Sequence, residues 1–477
     1  MSRRSTWWSA RIAAGALLAG LWVGPPALGQ STQRSAAMGP LRVHPDNPRY
    51  FADAGGRAVL LAGAHTWNNL VDIGPTDPPA AFDFDAYLDF LCTHGHNVIR
   101  LWTWESTSWD TRTDGRRRQH TVRPHPWART GPGEALDGKP RFDLSTFDPD
   151  YFKRLRTRVA AARQRGIYVS IMLFEGWAMQ FSAGAWRTHP FHPSNTVNGL
   201  DGDADGDGNG LEIHELGHDA VTRVQEAYVR KVIETVNDLD NVLYEISNEN
   251  HPVSTEWQVH MIDLVHRVEK AMPAQHPVGM TFQFRGGSNQ TLFDSPAEWV
   301  SPNPDGGYRD DPPPADGRKV VLNDTDHLWG IGGNRVWVWK SFLRGHHPLF
   351  MDPYDGRVLG RRFDKRWAPI HRALGQVLAV CRRVDLAALT PQPTLASTGF
   401  CLAGPARKLR EVLVYAPDGG AVSVDLCAAT GEWAAEWFSP HSAKWHPAGL
   451  VEPAARRTLT APFKGDALLH LRTTNGL

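Results

Sequence analysis

The chain has 477 residues, 41% of them hydrophobic and 19 of them Trp, and its 51 Lys and Arg are balanced by 51 Asp and Glu. That length holds one large barrel plus a smaller domain, and the charge balance excludes a basic nucleic-acid groove or a binder of anionic surfaces. Trp is otherwise rare, and its flat apolar ring suits both a large core and stacking on sugar rings.

The N-terminus carries Arg3, Arg4 and Arg11, an apolar run over 12–23, and the small exit Ala27-Leu28-Gly29. A charged start, a short apolar middle and a small exit predict a cleavable export signal over 1–29, too short to span a bilayer. Arg3-Arg4 followed by Trp7-Trp8 leaves a twin-arginine route open. The expected mature protein is secreted or periplasmic, has no membrane span, and has an oligomeric state that the sequence leaves open. Four cysteines fit an oxidising compartment. Cys401 and Cys427, in one late segment, are the candidate pair, and free thiols at Cys92, Cys381, Cys401 and Cys427 are the alternative.

After a polar linker over 31–39, residues 41–61 read as short strands around the turn Asp53-Ala54-Gly55-Gly56. The run 58–61 leads to Ala64-His65-Thr66-Trp67 and is the expected first barrel strand, with His65 and Trp67 at its mouth. A helix follows over 83–93, with Phe84, Tyr87, Leu88 and Leu91 at helical spacing and Gly95 as a stop. Residues 97–102 make a second strand, containing Arg100 and Trp102. The long connection 104–147 reads as a cleft wall carrying Trp109 and Trp127, with Arg116-Arg117-Arg118 as a solvated tip. Asp148-Pro149 opens a helix that Gly166 ends, and strand 167–174 runs into Glu175-Gly176-Trp177.

Two motifs then adjoin. Residues 201–212 read DGDADGDGNGLE, placing Asp201, Asp203, Asp205 and Asp207 at calcium-loop positions 1, 3, 5 and 7, Gly206 at 6 and Glu212 at 12. Clustered carboxylates repel one another without a cation, so a structural Ca2+ is the expected cofactor. His214-Glu215-Leu216-Gly217-His218 is a literal H-E-x-x-H, the spacing that puts two imidazoles on one helix face for zinc. Gly208, Gly210 and Gly217 break the helix that would carry it, and no third ligand follows in G-x-x-H form. It stands as an alternative, a zinc metalloprotease.

Helix 220–237 leads into residues 241–251, NVLYEISNENH. Alternation gives Val242, Tyr244, Ile246 and Asn248 one face and Leu243, Glu245, Ser247 and Glu249 the other. Two carboxylates on one strand face need a wet, polar interior. The inner wall of a (β/α)8 barrel near its C-terminal mouth provides one, and that mouth is where this fold keeps its active sites. Helix 257–271 and strands 278–284, 299–301, 319–323 and 348–351 follow, the 319–323 strand ending in Asp324-Thr325-Asp326-His327, before a closing helix over 367–380. The predicted fold class is α/β: a (β/α)8 TIM barrel over 40–383, followed by a C-terminal β-sandwich over 384–477, with strands at 411–415, 421–426, 432–438 and 467–471.

The run V-x-Y-E-I-S-N-E at 242–249 resembles strand four of the large clan of retaining barrel glycosidases that includes the cellulase-like enzymes. Residues 97–102 resemble its strand two, whose inward Arg corresponds to Arg100. Apiosidase-type and cellulase-like barrels are resembled most. The resemblance implies that Glu249 is the acid/base and that Asn248 holds the sugar 2-hydroxyl. The clan's nucleophile is a Glu after strand seven, whereas here Val320-Val321-Leu322-Asn323 is followed by Asp324. By position Asp324 is the expected nucleophile and Asp326 the second candidate. The shorter Asp leaves inversion possible beside a retaining mechanism. His65, Trp67, Arg100, Trp102, Glu175, Trp177, Asn248 and His327 are the expected substrate-binding residues. Tyr415-x-Pro417, Val422, Val424, Asp425, Trp437-Phe438 and Phe463 resemble the small module, labelled collagen-binding, that follows such barrels; a structural cap is the other reading of it. The reading is a secreted glycosidase acting on a poly- or oligosaccharide with two carboxylates. A non-catalytic glycan-binding barrel is a further alternative.

Overall fold

The computed structural model describes residues 39–110, 119–182, 184–354, 365–405, 407, 409–453 and 455–474. The expected signal, nearly all of the linker and the Arg116-Arg117-Arg118 tip lie outside the described residues.

Eight parallel strands close a barrel: β1 Gly63–His65, β2 Val98–Leu101, β3 Tyr168–Glu175, β4 Val242–Asn248, β5 Val278–Thr281, β6 Trp299–Ser301, β7 Val320–Asp324 and β8 His347–Met351. Around the barrel they run β3, β4, β5, β6, β7, β8, β1, β2. Every residue of β3 and β4 is buried, as expected for parallel strands covered by helices outside and packed side chains inside. Register sets Glu175 beside Asn248 and Met351 beside His65, so the strand ends that carry polar residues share one mouth. The opposite end is filled by Leu41, Phe51 and Leu61, packed with Val98, Leu243, Val320, Leu322 and Leu349.

The helices are α1 Phe84–Thr93, α2 Pro149–Gln164, α3 Trp177–Phe181, α4 Asp219–Val236, α5 Thr255–Glu269, α6 Asn289–Asp294, α7 Thr325–Trp329, α8 Arg335–Leu343 and α9 Ala368–Cys381. Their starts follow local chemistry: Asp83 accepts the Ala86 N–H, and Asp148 accepts the Asp150 N–H ahead of Pro149. On α4, Val221, Tyr228, Val229, Val232, Ile233 and Val236 form the buried stripe.

Two expectations change. Ala58–Val59 pairs with Phe51–Ala52, and the barrel strand begins only at Gly63. A side chain at Gly63 would run into the Val98 carbonyl, so β1 can pair with β2 there only as glycine. The connection 104–147 is not a bare loop. Ser108–Asp110 and Gln119–Arg123 join Asp72–Gly74 in a sheet, and Trp127–Glu134 pairs with Pro140–Phe147. Trp127 is buried against Phe191 and Tyr228, so it belongs to the core rather than to a cleft wall.

After α9 a six-stranded antiparallel sheet forms, with Glu411–Ala416 and Ala467–Thr473 at its centre. The pair Ala421–Asp425 and Arg456–Thr460 faces it across a core of Val412, Val414, Val422, Val424, Trp433, Trp437 and Leu469. This sandwich packs on the barrel: Trp339 of α8 stacks on Tyr415 with centroids 5.8 Å apart and also meets Phe438. No disulfide joins any of the four cysteines; Cys401 sits in the core while Cys427 is exposed, so the expected pair does not form.

Candidate active site

Arg100 of β2 is the hub of the mouth. Its Nε and Nη2 hold Glu245 at 2.8 and 2.6 Å, and Nη2 also reaches Asn248 Oδ1 at 2.9 Å. Its Nη1 reaches Asp324 Oδ2 at 2.9 Å and Asp326 Oδ2 at 3.2 Å. A buried guanidinium is costly alone, and here three carboxylates offset that cost and keep it charged. Glu245 was not among the sequence-derived site residues, although strand alternation had placed it on the inner face. Asn248 departs from the outward face that alternation assigned to it. The chain turns at Glu249, whose φ is +43°, and Asn248 is drawn to Arg100 and to His327 Nε2 at 3.1 Å.

At the end of β7, Asp324 accepts His65 Nε2–H at 2.9 Å and the Asp326 N–H at 3.0 Å. The Trp102 indole N–H donates to His65 Nδ1 at 2.8 Å, so the proton sits on Nε2 and points at Asp324. Burial would raise the Asp324 carboxyl, but His65 and Arg100 beside it outweigh burial and hold it far below the usual range. Asp326, in the first turn of α7, behaves oppositely. Burial lifts it to about 6, and Arg100 only partly counters that. His327 is driven down to about 3 by burial and by Arg100, so it is a neutral imidazole. It accepts Ser301 Oγ–H at 2.7 Å on Nδ1 and donates Nε2–H to Asn248. With Asn248 Oδ1 so occupied, its Nδ2 amide hydrogens face the other way. Ser301, too, was missed by the sequence, where a small residue at a short strand end carries no signal.

Glu249 follows β4. Burial raises its carboxyl well above the usual range; Asp326, Glu175 and Asp324 push it further up, Asp326 most, and Arg100 opposes them. Glu175 ends β3 and accepts the backbone N–H groups of Trp177 at 2.8 Å and Ala178 at 3.1 Å, at the start of α3. Its carboxyl is also raised well above the usual range, chiefly by burial.

An arc of half-buried rings borders these acids. Trp67 meets Trp177 (5.9 Å between centroids), Trp177 meets Phe181 (5.2 Å), and Phe181 meets Phe284 (4.8 Å). Phe284 meets Phe282 (5.8 Å), which reaches His327. Phe181, Phe282 and Phe284 were not expected from the sequence, because a Phe in a loop reads no differently from a core Phe.

The H-E-x-x-H reading does not survive. Leu211–His214 is a short 3-10 turn, Glu215 is extended, and α4 begins only at Asp219, so the two imidazoles do not share a helix face. His214 is buried, its Nε2 facing Glu105 at 3.2 Å, and His218 binds the Asp201 carbonyl. Among the described residues one set of three or more candidate ligands converges: Asp203, Asp205, Asp207 and Glu212, with oxygens within 4.8 Å of one another. Asp201 is outside it. The acids that would share an ion therefore start two residues later than the spacing suggested.

No protein-family model matches the chain, and no curated protein matches it. Solved structures do match in fold. One, titled a glycoside hydrolase, superposes with a TM-score of 0.60 at 13% identity, covering 92% of this chain and 98% of its own. A glycoside hydrolase family 5 protein from Bacteroides vulgatus ATCC 8482 gives 0.59 at 12% identity, over 91% of this chain and 93% of its own. By fold, the chain is a (β/α)8 barrel with a C-terminal antiparallel β region, of the kind those two glycoside hydrolases have.

Proposed function

We propose that the chain is a glycoside hydrolase in which Glu249 protonates the leaving oxygen and Asp326 is the carboxylate at the anomeric carbon. The observation that carries this is the meeting of two buried carboxyls from different strands at one mouth: Glu249 just past β4, raised by burial and by Asp326, and Asp326 just past β7, held by Arg100 Nη1 at 3.2 Å. Burial favours the protonated form of Glu249 and the Arg100 guanidinium favours the charged form of Asp326, which is the division of labour that glycosidic cleavage requires. Asp326 is preferred over Asp324, the candidate by strand position. Both Asp324 oxygens are taken by His65, Arg100 and the Asp326 amide, and Asp324 is 1% exposed against 6% for Asp326. In a retaining cycle Asp326 Oδ attacks the anomeric carbon as Glu249 gives its proton to the departing oxygen. Glu249 then takes a proton from the water that releases the sugar. Asn248 Nδ2 is oriented to hold the sugar 2-hydroxyl, and the aromatic arc offers faces to sugar rings.

Screening aryl glycosides and plant or bacterial polysaccharides tests the reading and identifies the sugar. Turnover of a glycoside is expected, and proton NMR of the first-formed sugar should show the substrate's own anomeric configuration. Sugar binding without turnover would favour the non-catalytic glycan-binding barrel. The C-terminal sandwich is proposed as a structural cap, given its packing on α8. Residues 1–29 are proposed as an export signal, tested by N-terminal sequencing of the exported protein.

A structural calcium at Asp203, Asp205, Asp207 and Glu212 is likewise proposed. Four acids that close together are stabilised by a divalent cation, and binding to the folded state alone raises stability by linkage. Adding EGTA is expected to lower the melting midpoint and Ca2+ to restore it. An unchanged midpoint, with no calcium on elemental analysis, would remove the ion from the account.

A further inference from the structure

We propose that Gln180 is the positioning residue of the general acid, its side-chain amide holding the left-handed backbone at Glu249 and thereby the direction of that carboxyl. The inference rests on the reading of Glu249 as the acid. Glu249 has φ +43°, a region that L residues avoid because Cβ crowds the carbonyl oxygen, and such a conformation persists only where its surroundings impose it. The three carbonyls that leave β4 are each held from outside the strand. Asn248 O accepts the Gly176 N–H at 3.0 Å, and Asn250 O accepts the Phe284 N–H at 3.0 Å. Between them Glu249 O accepts Gln180 Nε2–H at 2.8 Å, a side chain reaching across from α3. The same Nε2 donates to Gly176 O at 3.1 Å, so one amide group ties the exit of β3 to the exit of β4 at the acid itself.

The neighbours are built to allow this. A Cβ at Gly176 would run into the Asn250 side chain and lie 2.6 Å from its Cα, so only glycine lets the two exits approach. Asn250 is in turn braced by its Nδ2 on Ser247 Oγ at 2.9 Å and by the His251 N–H on its Oδ1 at 2.9 Å. Asn248 and Asn250 are thus fixed by backbone donors and local bonds, while the residue between them relies on a side chain. Without the Gln180 donor the turn at Glu249 can relax toward negative φ, which swings its carboxyl off the leaving oxygen. Misplacement of a catalytic group by about 1 Å costs on the order of a hundredfold in rate.

Leaving-group dependence separates this role from a merely structural one. Gln180→Met keeps the length of the side chain and removes the donor. With aryl glycosides of the sugar that the screen returns, it should lower kcat/KM for the phenyl glycoside by roughly tenfold to a hundredfold. The 2,4-dinitrophenyl glycoside, whose leaving group needs no proton, should stay within about twofold. Gln180→Ala, should the Met variant fail to fold, is expected to give the same split. Equal slowing of both substrates, or of neither, overturns the clamp. Glu249→Gln run alongside keeps the two claims distinct: if that variant shows no leaving-group dependence the acid assignment itself fails, and if it does while Gln180→Met does not, only the clamp fails.

Discussion

Arg100 decides which acids around it are free to act. Its guanidinium and His65 together hold Asp324 far below the usual carboxylate range, whereas Asp326, which Arg100 reaches at 3.2 Å, is left at about 6. Activity should therefore fall as pH drops through about 6, where Asp326 takes up a proton, and fall again as pH rises through the raised pKa of Glu249, where that group loses its own. A kcat/KM profile tests this, and a flat acid limb down to pH 4 would remove Asp326 from the reaction. The two aspartates should also separate by variant. Asp326→Ala is expected to abolish turnover with the fold intact. Asp324→Asn breaks a buried charge pair and should cost about 3–5 kcal/mol of stability as well as activity. Urea denaturation and turnover measured on both variants check the assignment. Full turnover in Asp326→Ala, with a dead but stable Asp324→Asn, would return the role to Asp324.

At the scale of elements, the join between α9 and the C-terminal sandwich is electrostatic as well as apolar. His470 is 1% exposed and lies between Glu411 at 2.8 Å and Glu436 at 3.0 Å, and Arg383, just past α9, holds Glu436 at 2.8 Å. Burial lowers the His470 pKa, but the two carboxylates prevail and raise it above its ordinary value. Because the folded pKa lies above the unfolded one, the stability His470 contributes is fully present below about pH 6.5 and is lost as pH rises through the folded value. His470→Gln should accordingly destabilise the protein at pH 6 more than at pH 9. Chemical denaturation at the two pH values checks it, and an equal loss at both would mean that the imidazole is neutral throughout.

Across the whole molecule, what could be read from the sequence is what local pattern encodes. Unbroken apolar runs such as Val320-Val321-Leu322 and the capped helix after Asp148 mark barrel strands and helices, because burial on both faces and first-turn chemistry are properties of neighbours in the chain. Glu249 and His65 were legible as polar residues at strand ends, and Arg100 through the resemblance of its strand to one with an inward Arg. Their relations were not. That Arg100 is shared among Glu245, Asp324 and Asp326, or that Gln180 reaches Glu249, depends on register between strands far apart in sequence. Near Ala58 the pattern misled, since an N-terminal hairpin that plugs the barrel is as apolar as a barrel strand. The H-E-x-x-H motif misled for the opposite reason: a spacing that matters only on a helix fell where glycines prevent one. What unites site and fold is a single claim, that the buried carboxyl of Glu249 at the barrel mouth delivers the proton in glycosidic cleavage. Comparing wild type with Glu249→Gln on the glycoside that the screen identifies tests it most directly. An unchanged melting midpoint with turnover lower by about a hundredfold or more is expected; wild-type turnover in that variant would contradict the claim.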